Sequence, residues 1–198
     1  MSLEKFKTLD STAVPLATEN IDTDQIIPAR FLKAVERKGF GENLFRDWRY
    51  DKSDKKIADF SLNDSRYSGE ILIAGKNFGC GSSREHAAWA IYDDGFRVVV
   101  SSYFADIFKN NAMNNGLLPI QVTELELKQI FSLISKNPKT SFRVNLEDQQ
   151  LSVPKDNLVF NFEINSYKKE CLLNGYDDFA YLQSILPEIE EFEQQRAG

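Results

Sequence analysis

Apolar residues in this chain fall into short blocks whose spacing alternates between strand-like and helix-like. Glu70–Phe78 (EILIAGKNF) is a compact apolar run closed by a glycine-rich turn, which predicts a buried strand. From Ser83 to about Asp94 the apolar positions recur with helical spacing, and Gly95 stands where such a helix would end. Phe96–Ser102 (FRVVVSS) predicts a second buried strand. Tyr103–Asn115 predicts a helix stopped at Gly116, and Leu117–Val122 a third strand broken by Pro119. Leu125–Ser135 has the pattern of an amphipathic helix. Phe142–Leu146, Leu151–Val153 and Leu158–Ile164 read as strands joined by turns, followed by helices around Tyr167–Leu173 and Asp178–Gln194. Strands alternating with helices from 70 to 122 imply parallel pairing through crossover helices. An α/β fold with a mixed sheet is expected.

The stretch from about 34 to 68 breaks this rhythm. It is charged and aromatic (GENLFRDWRYDKSDKKIADF), has weak periodicity, and predicts a long excursion with short pieces of structure. At 198 residues the chain is expected to form a single domain, 1–198, with 42% hydrophobic residues and 15 Phe to fill its core. Basic residues number 24 against 30 acidic, a net charge of −6. That balance argues against nucleic-acid binding, because affinity for a phosphate backbone comes from Lys and Arg. No apolar run is long enough to span a membrane, and Met1–Leu9 lacks the apolar centre of a signal peptide, so a cytoplasmic location is expected. Two cysteines, Cys80 and Cys171, and one histidine, His86, are too few to build an iron–sulfur cluster or an open zinc site.

Chemistry concentrates in Gly79-Cys80-Gly81-Ser82-Ser83-Arg84-Glu85-His86. Two glycines permit a tight turn and close approach of a ligand to the backbone. Ser82 followed three residues later by Glu85 spells a capping box, which predicts a helix start there. Free N–H groups and a partial positive charge at such a start favour a bound carboxylate or phosphate. Arg84 adds a planar fork suited to a carboxylate. The P-loop pattern fails, since Cys80 and Gly81 occupy its glycine and lysine positions, and the dinucleotide fingerprint fails at Arg84. The residues alone describe an anion site on a strand–turn–helix, in which capping is the favoured reading of Ser82 and Ser83 and ligand contact the alternative.

GCGSSREHAAWA resembles the active-site signature of the swivelling domain in the aconitase family. The likeness extends to Asn20–Pro28 (NIDTDQIIP) and Phe108–Pro119 (FKNNAMNNGLLP). With the length, segment order and Asp47–Tyr50 (DWRY), it is similar to the bacterial small subunits of 3-isopropylmalate dehydratases. The resemblance implies an aconitase-like swivelling domain, layered β/β/α. It implies half of a heterodimeric hydro-lyase that interconverts 2- and 3-isopropylmalate through isopropylmaleate in leucine biosynthesis. A large subunit is the implied partner and a small dicarboxylate the substrate. This chain would bind no cofactor, the [4Fe–4S] cluster residing on the large subunit.

Carried over residue by residue, the resemblance makes Ser82 the catalytic base and Arg84 a carboxylate ligand. Ser83 and Arg30 become further substrate contacts, and Gly79, Gly81, His86 and Asp24 supporting residues. Bland readings stand beside these: capping for the serines, turn formation for Asp22 and Asp24, simple packing for Cys80 and His86. Ile26, Ile27, Phe31 and Leu32 are either an apolar wall for an isopropyl group or core. Phe45–Tyr50 is either an interface anchor or packing onto its own domain. Homoaconitase, citraconate and dimethylmalate hydratase small subunits share the signature, and a non-catalytic carboxylate-binding module is the alternative of another class.

Overall fold

The computed structural model describes residues 3–32, 39–82 and 84–196. Its strands segregate into two four-stranded sheets. The first two strands, β1 (Thr8–Ser11) and β2 (Ala13–Leu16), are adjacent in sequence but enter different sheets. A single residue, Thr12, separates them. After β2 come the short helices α1 (Thr23–Ile26) and α2 (Arg46–Arg49), then β3 (Ile71–Ala74), α3 (Glu85–Asp93), β4 (Val98–Ser101), α4 (Asp106–Asn114) and β5 (Leu118–Gln121). β2, β3, β4 and β5 lie side by side in that order, all parallel, so the crossover reading of 70–122 holds. Pro119 does not break its strand. β5 is an edge, as is β2 with its own Pro15, and an edge strand tolerates a residue with no N–H to donate.

The chain continues through α5 (Glu124–Lys136), β6 (Phe142–Asn145), β7 (Gln150–Val153), β8 (Leu158–Asn161), α6 (Ser166–Asn174), α7 (Asp178–Ser184) and α8 (Leu186–Arg196). β1, β6, β7 and β8 form the antiparallel sheet. Parallel and antiparallel pairing therefore both occur, one kind in each sheet. The C-terminal helix expected over Asp178–Gln194 is two helices. Pro187 lies in the first turn of α8, where its missing N–H breaks no helical bond, whereas deeper inside a continuous helix it would.

The period-two alternation of β2–β5 sorts their side chains to two faces. Ile71, Ile73, Val98, Val100, Leu118 and Ile120 face the antiparallel sheet and meet Phe142, Val144, Leu151, Val153 and Phe160, with α5 closing the same core. Leu72, Ala74, Val99, Val14 and Leu16 face the other way, against Ala87, Ala90 and Ile91 of α3 and Phe108 and Ala112 of α4. The layers thus run sheet, sheet, helices. Segment 39–68 packs on the helical side: Phe45 is fully buried, stacks on Trp48 at 5.7 Å and meets Phe60 edge-on. Its aromatics cover their own core, the packing alternative for Phe45–Tyr50. Residues 34–38 of the expected excursion lie outside the described residues.

Candidate active site

The glycine turn leaves the C-terminal end of β3 and is held by the segment 20–23 that follows β2. Gly79 N–H donates to the Ile21 carbonyl at 2.8 Å, and Thr23 N–H donates to the Cys80 carbonyl at 2.9 Å. Asp22 and Cys80 form a short parallel bridge. Gly79 and Gly81 both adopt positive φ, +75° and +91°. Gly79 is also sterically required, since a Cβ there would stand 2.2 Å from the ring of Phe108 in α4.

Two motifs some 60 residues apart in sequence therefore share one edge of the parallel sheet. Thr23, buried, donates its hydroxyl to the Ser82 carbonyl at 3.0 Å. Arg84 forms an ion pair with Asp24, the arginine side chain mostly covered and the aspartate about half exposed. Asp22 takes the structural role in this segment: its carboxylate caps α1 in a reciprocal box with Gln25. Ser82 is exposed, and its hydroxyl has no hydrogen-bond partner among the described residues. Ser83 lies outside the described residues.

The expected capping box at Ser82 and Glu85 does not form. The N-cap of α3 is Arg84, in extended conformation and without a side-chain cap. Glu85 instead accepts a hydrogen bond from Asn115 Nδ2 at 3.0 Å. The physical reason lies in the turn. Thr23 and Asp24 hold Ser82 and Arg84 from outside, and the N-cap falls two residues after the expected one. The Arg84 side chain supplies no cap of its own, and the partial positive charge of the helix start adds to that of Arg84.

His86 packs between Phe40 and Trp89, with ring centroids 5.5 and 4.5 Å away. Cys80 is half-buried; its thiol donates to the Asn20 carbonyl at 3.5 Å, and burial pushes its pKa up, away from thiolate chemistry. Arg30 is engaged within its own segment and α2. Its guanidinium pairs with Asp47 of α2 and lies over Phe31, and this partner holds the Asp47 carboxyl below its usual range. Ile26 and Ile27 are fully buried and belong to the core, while Phe31 and Leu32 pack at its margin.

A family model, the aconitase C-terminal domain, matches residues 3–125. The 3-isopropylmalate dehydratase small subunit of Christiangramia forsetii is 59% identical over 99% of this chain and 96% of its own length. That of Cytophaga hutchinsonii is 58% identical over 97% and 96%. The chain belongs to the aconitase C-terminal domain family. A crystal structure of a 3-isopropylmalate dehydratase from Methanocaldococcus jannaschii superposes on this aconitase-family chain with a TM-score of 0.66. It is 26% identical and covers 96% of this chain and 99% of that one.

Two residues of this aconitase-family site went unnoticed in the sequence and a third, Glu85, was misread. Thr23 and Asn115 are two of the buried polar residues of the fold, and Glu85 was assigned the wrong partner. Thr23 sits inside a motif that was recognised, so its position between Asp22 and Asp24 was the available signal. Asn115 carried none: an asparagine before Gly116 reads simply as a helix end.

Proposed function

We propose that this chain is the small subunit of a 3-isopropylmalate dehydratase, a cytoplasmic hydro-lyase of leucine biosynthesis that is active only with its large subunit. The observation that carries the reading is the convergence of an exposed Ser82, the Arg84–Asp24 pair and the start of α3 on one turn. The high identity to small subunits over nearly their full length supports the same reading. Residues 1–198 then form one swivelling domain that presents this turn to the partner.

In this scheme Arg84 binds a substrate carboxylate through its fork, with Asp24 fixing the guanidinium plane. Ser82 removes the proton from the carbon next to the departing hydroxyl. On rehydration a proton is returned to the carbon that lost the hydroxyl, and hydroxide adds to the carbon that lost the proton. A neutral serine is a weak base, so the deprotonated form must be favoured locally. Arg84 and the helix start are the positive groups at hand. Ser83 and Arg30 are assigned to further substrate contact, and His86, Gly79 and Gly81 to support of the turn. Among the described residues no group of His, Cys, Asp or Glu is arranged to hold a metal, and the [4Fe–4S] cluster is assigned to the large subunit. There it supplies Lewis-acid polarisation of the substrate hydroxyl.

The test mixes this chain with an anaerobically reconstituted large subunit and follows loss of isopropylmaleate absorbance, with citraconate in parallel. Turnover only in the mixture, faster with isopropylmaleate, is expected. Turnover of neither acid despite a stable complex and an intact cluster would overturn the substrate assignment.

A further inference from the structure

We infer that Asn115 is a positioning residue for the Ser82–Arg84 turn: its buried amide clamps the first turn of α3, the helix whose N-cap is Arg84. Asn115 caps the C-terminus of α4 and is only 3% exposed. Its Nδ2 donates to Glu85 Oε1 at 3.0 Å and to the Asn111 carbonyl at 2.8 Å, and its Oδ1 accepts from Trp89 Nε1 at 2.8 Å. Glu85 and Trp89 are four residues apart and so share one face of α3. One amide group therefore grips that helix at its first residue and again one turn later. The orientation of the amide is determined, because a flip would point its donors at the Trp89 N–H and its oxygen at a carboxylate and a carbonyl.

The clamp has a reason in the geometry. The Arg84 side chain does not cap α3; it is turned to Asp24. α4 fixes the helix from the side. Its Phe108 fills the space beneath Gly79, and its end, at Asn115, holds Glu85, so the active turn is supported at both ends by one helix. Glu85 follows Arg84 directly. A shift of the first helical residue is thus a shift of the guanidinium, and misplacement by about 1 Å is enough to cost on the order of 100-fold in rate.

This role rests on the proposed function, and the test keeps the two separable. In Asn115→Asp the Trp89 bond keeps an acceptor, but two carboxylates now face each other at Glu85. In the isolated full chain, amide hydrogen exchange is expected to rise at Arg84–Ala88 while the strands of both sheets keep their protection. In the reconstituted pair at mildly alkaline pH, KM for isopropylmaleate is expected to rise about tenfold or more, with the complex still forming. The double variant Asn115→Asp with Glu85→Gln reverses donor and acceptor and is expected to restore most of the loss. Should Asn115→Asp fail to fold, Glu85→Ala removes the same bond from its exposed end and is expected to raise exchange and KM in the same direction. Unchanged exchange at the α3 start would overturn the clamp, as would unchanged KM or a double variant no better than the single. A wild-type pair that turns over neither isopropylmaleate nor citraconate would sink the functional reading alone, since the exchange measurements still decide the clamp.

Discussion

Two helices in this chain are preceded by the same spelling, a hydroxyl residue followed three positions later by glutamate. At α5 the pattern does what it says. Thr123 Oγ1 accepts from Glu126 N–H at 3.2 Å, Glu126 Oε2 accepts from Thr123 N–H at 2.7 Å, and thirteen helical residues follow. At α3, Ser82 and Glu85 never meet. The serine stands exposed, its carbonyl tied to Thr23, while the glutamate turns inward to Asn115. The difference shows what a functional turn requires. α5 satisfies its own first amides and closes an inert core, whereas α3 is held from neighbouring elements and leaves the Ser82 hydroxyl accessible. Anchoring has been moved from the local sequence to α1 and α4.

The sharpest way to break that comparison is to remove each hydroxyl. Ser82→Ala should lower turnover of the reconstituted pair by about 10²–10⁴-fold, the range for loss of a general base, with no fall in the thermal midpoint of the chain. A lower midpoint with turnover retained would make Ser82 an ordinary cap and erase the contrast. Arg84→Lys keeps the charge but loses the fork. Loss of a charge-assisted hydrogen bond, roughly 1.5–3 kcal/mol, should appear as a rise of about tenfold or more in KM, checked by initial rates over substrate concentration. Thr123→Ala should do the reverse of Ser82→Ala. It is expected to cost about 1 kcal/mol in urea unfolding and to leave kcat and KM unchanged.

The smallest effect concerns the charge at the α5 start. Lys76 donates to the Glu124 carboxylate and lowers its pKa below the ordinary value of 4.5. A carboxyl depressed in the folded state stabilises above its unfolded value, and that contribution disappears as pH falls through the lower folded value. Glu124→Gln should therefore reduce the urea midpoint slightly at neutral pH and not at all once both states are protonated. The pair is exposed, so salt should shrink the difference further.

Much of this organisation was legible along the chain. The apolar blocks from 70 to 122 specified three parallel strands and two crossover helices, because burial on both faces leaves continuous runs such as ILIA and VVVS. The glycine–serine–arginine turn was visible because glycine at positive φ and an arginine at a helix start are choices that packing alone does not demand. β1 and β2 were not seen. β1 (TLDS) has a single large apolar residue and β2 (AVPL) carries a proline, so neither spells a strand, and their assignment to opposite sheets depends on partners at 142–145 and 71–74. The capping box at Ser82 was misread for the same class of reason: the side chains that decide it, Thr23, Asp24 and Asn115, arrive from elsewhere in the chain.

The sequence by itself determined which residue types are available and where the backbone must turn, since hydrophobic period, glycine conformation and charge are local properties. Tertiary structure alone decided who holds whom. It joined Asp24 to Arg84, set Thr23 under the Ser82 carbonyl and turned Glu85 toward Asn115. Burial makes an unpaired polar group costly, and the partner that satisfies it is whichever one the packed elements bring within reach.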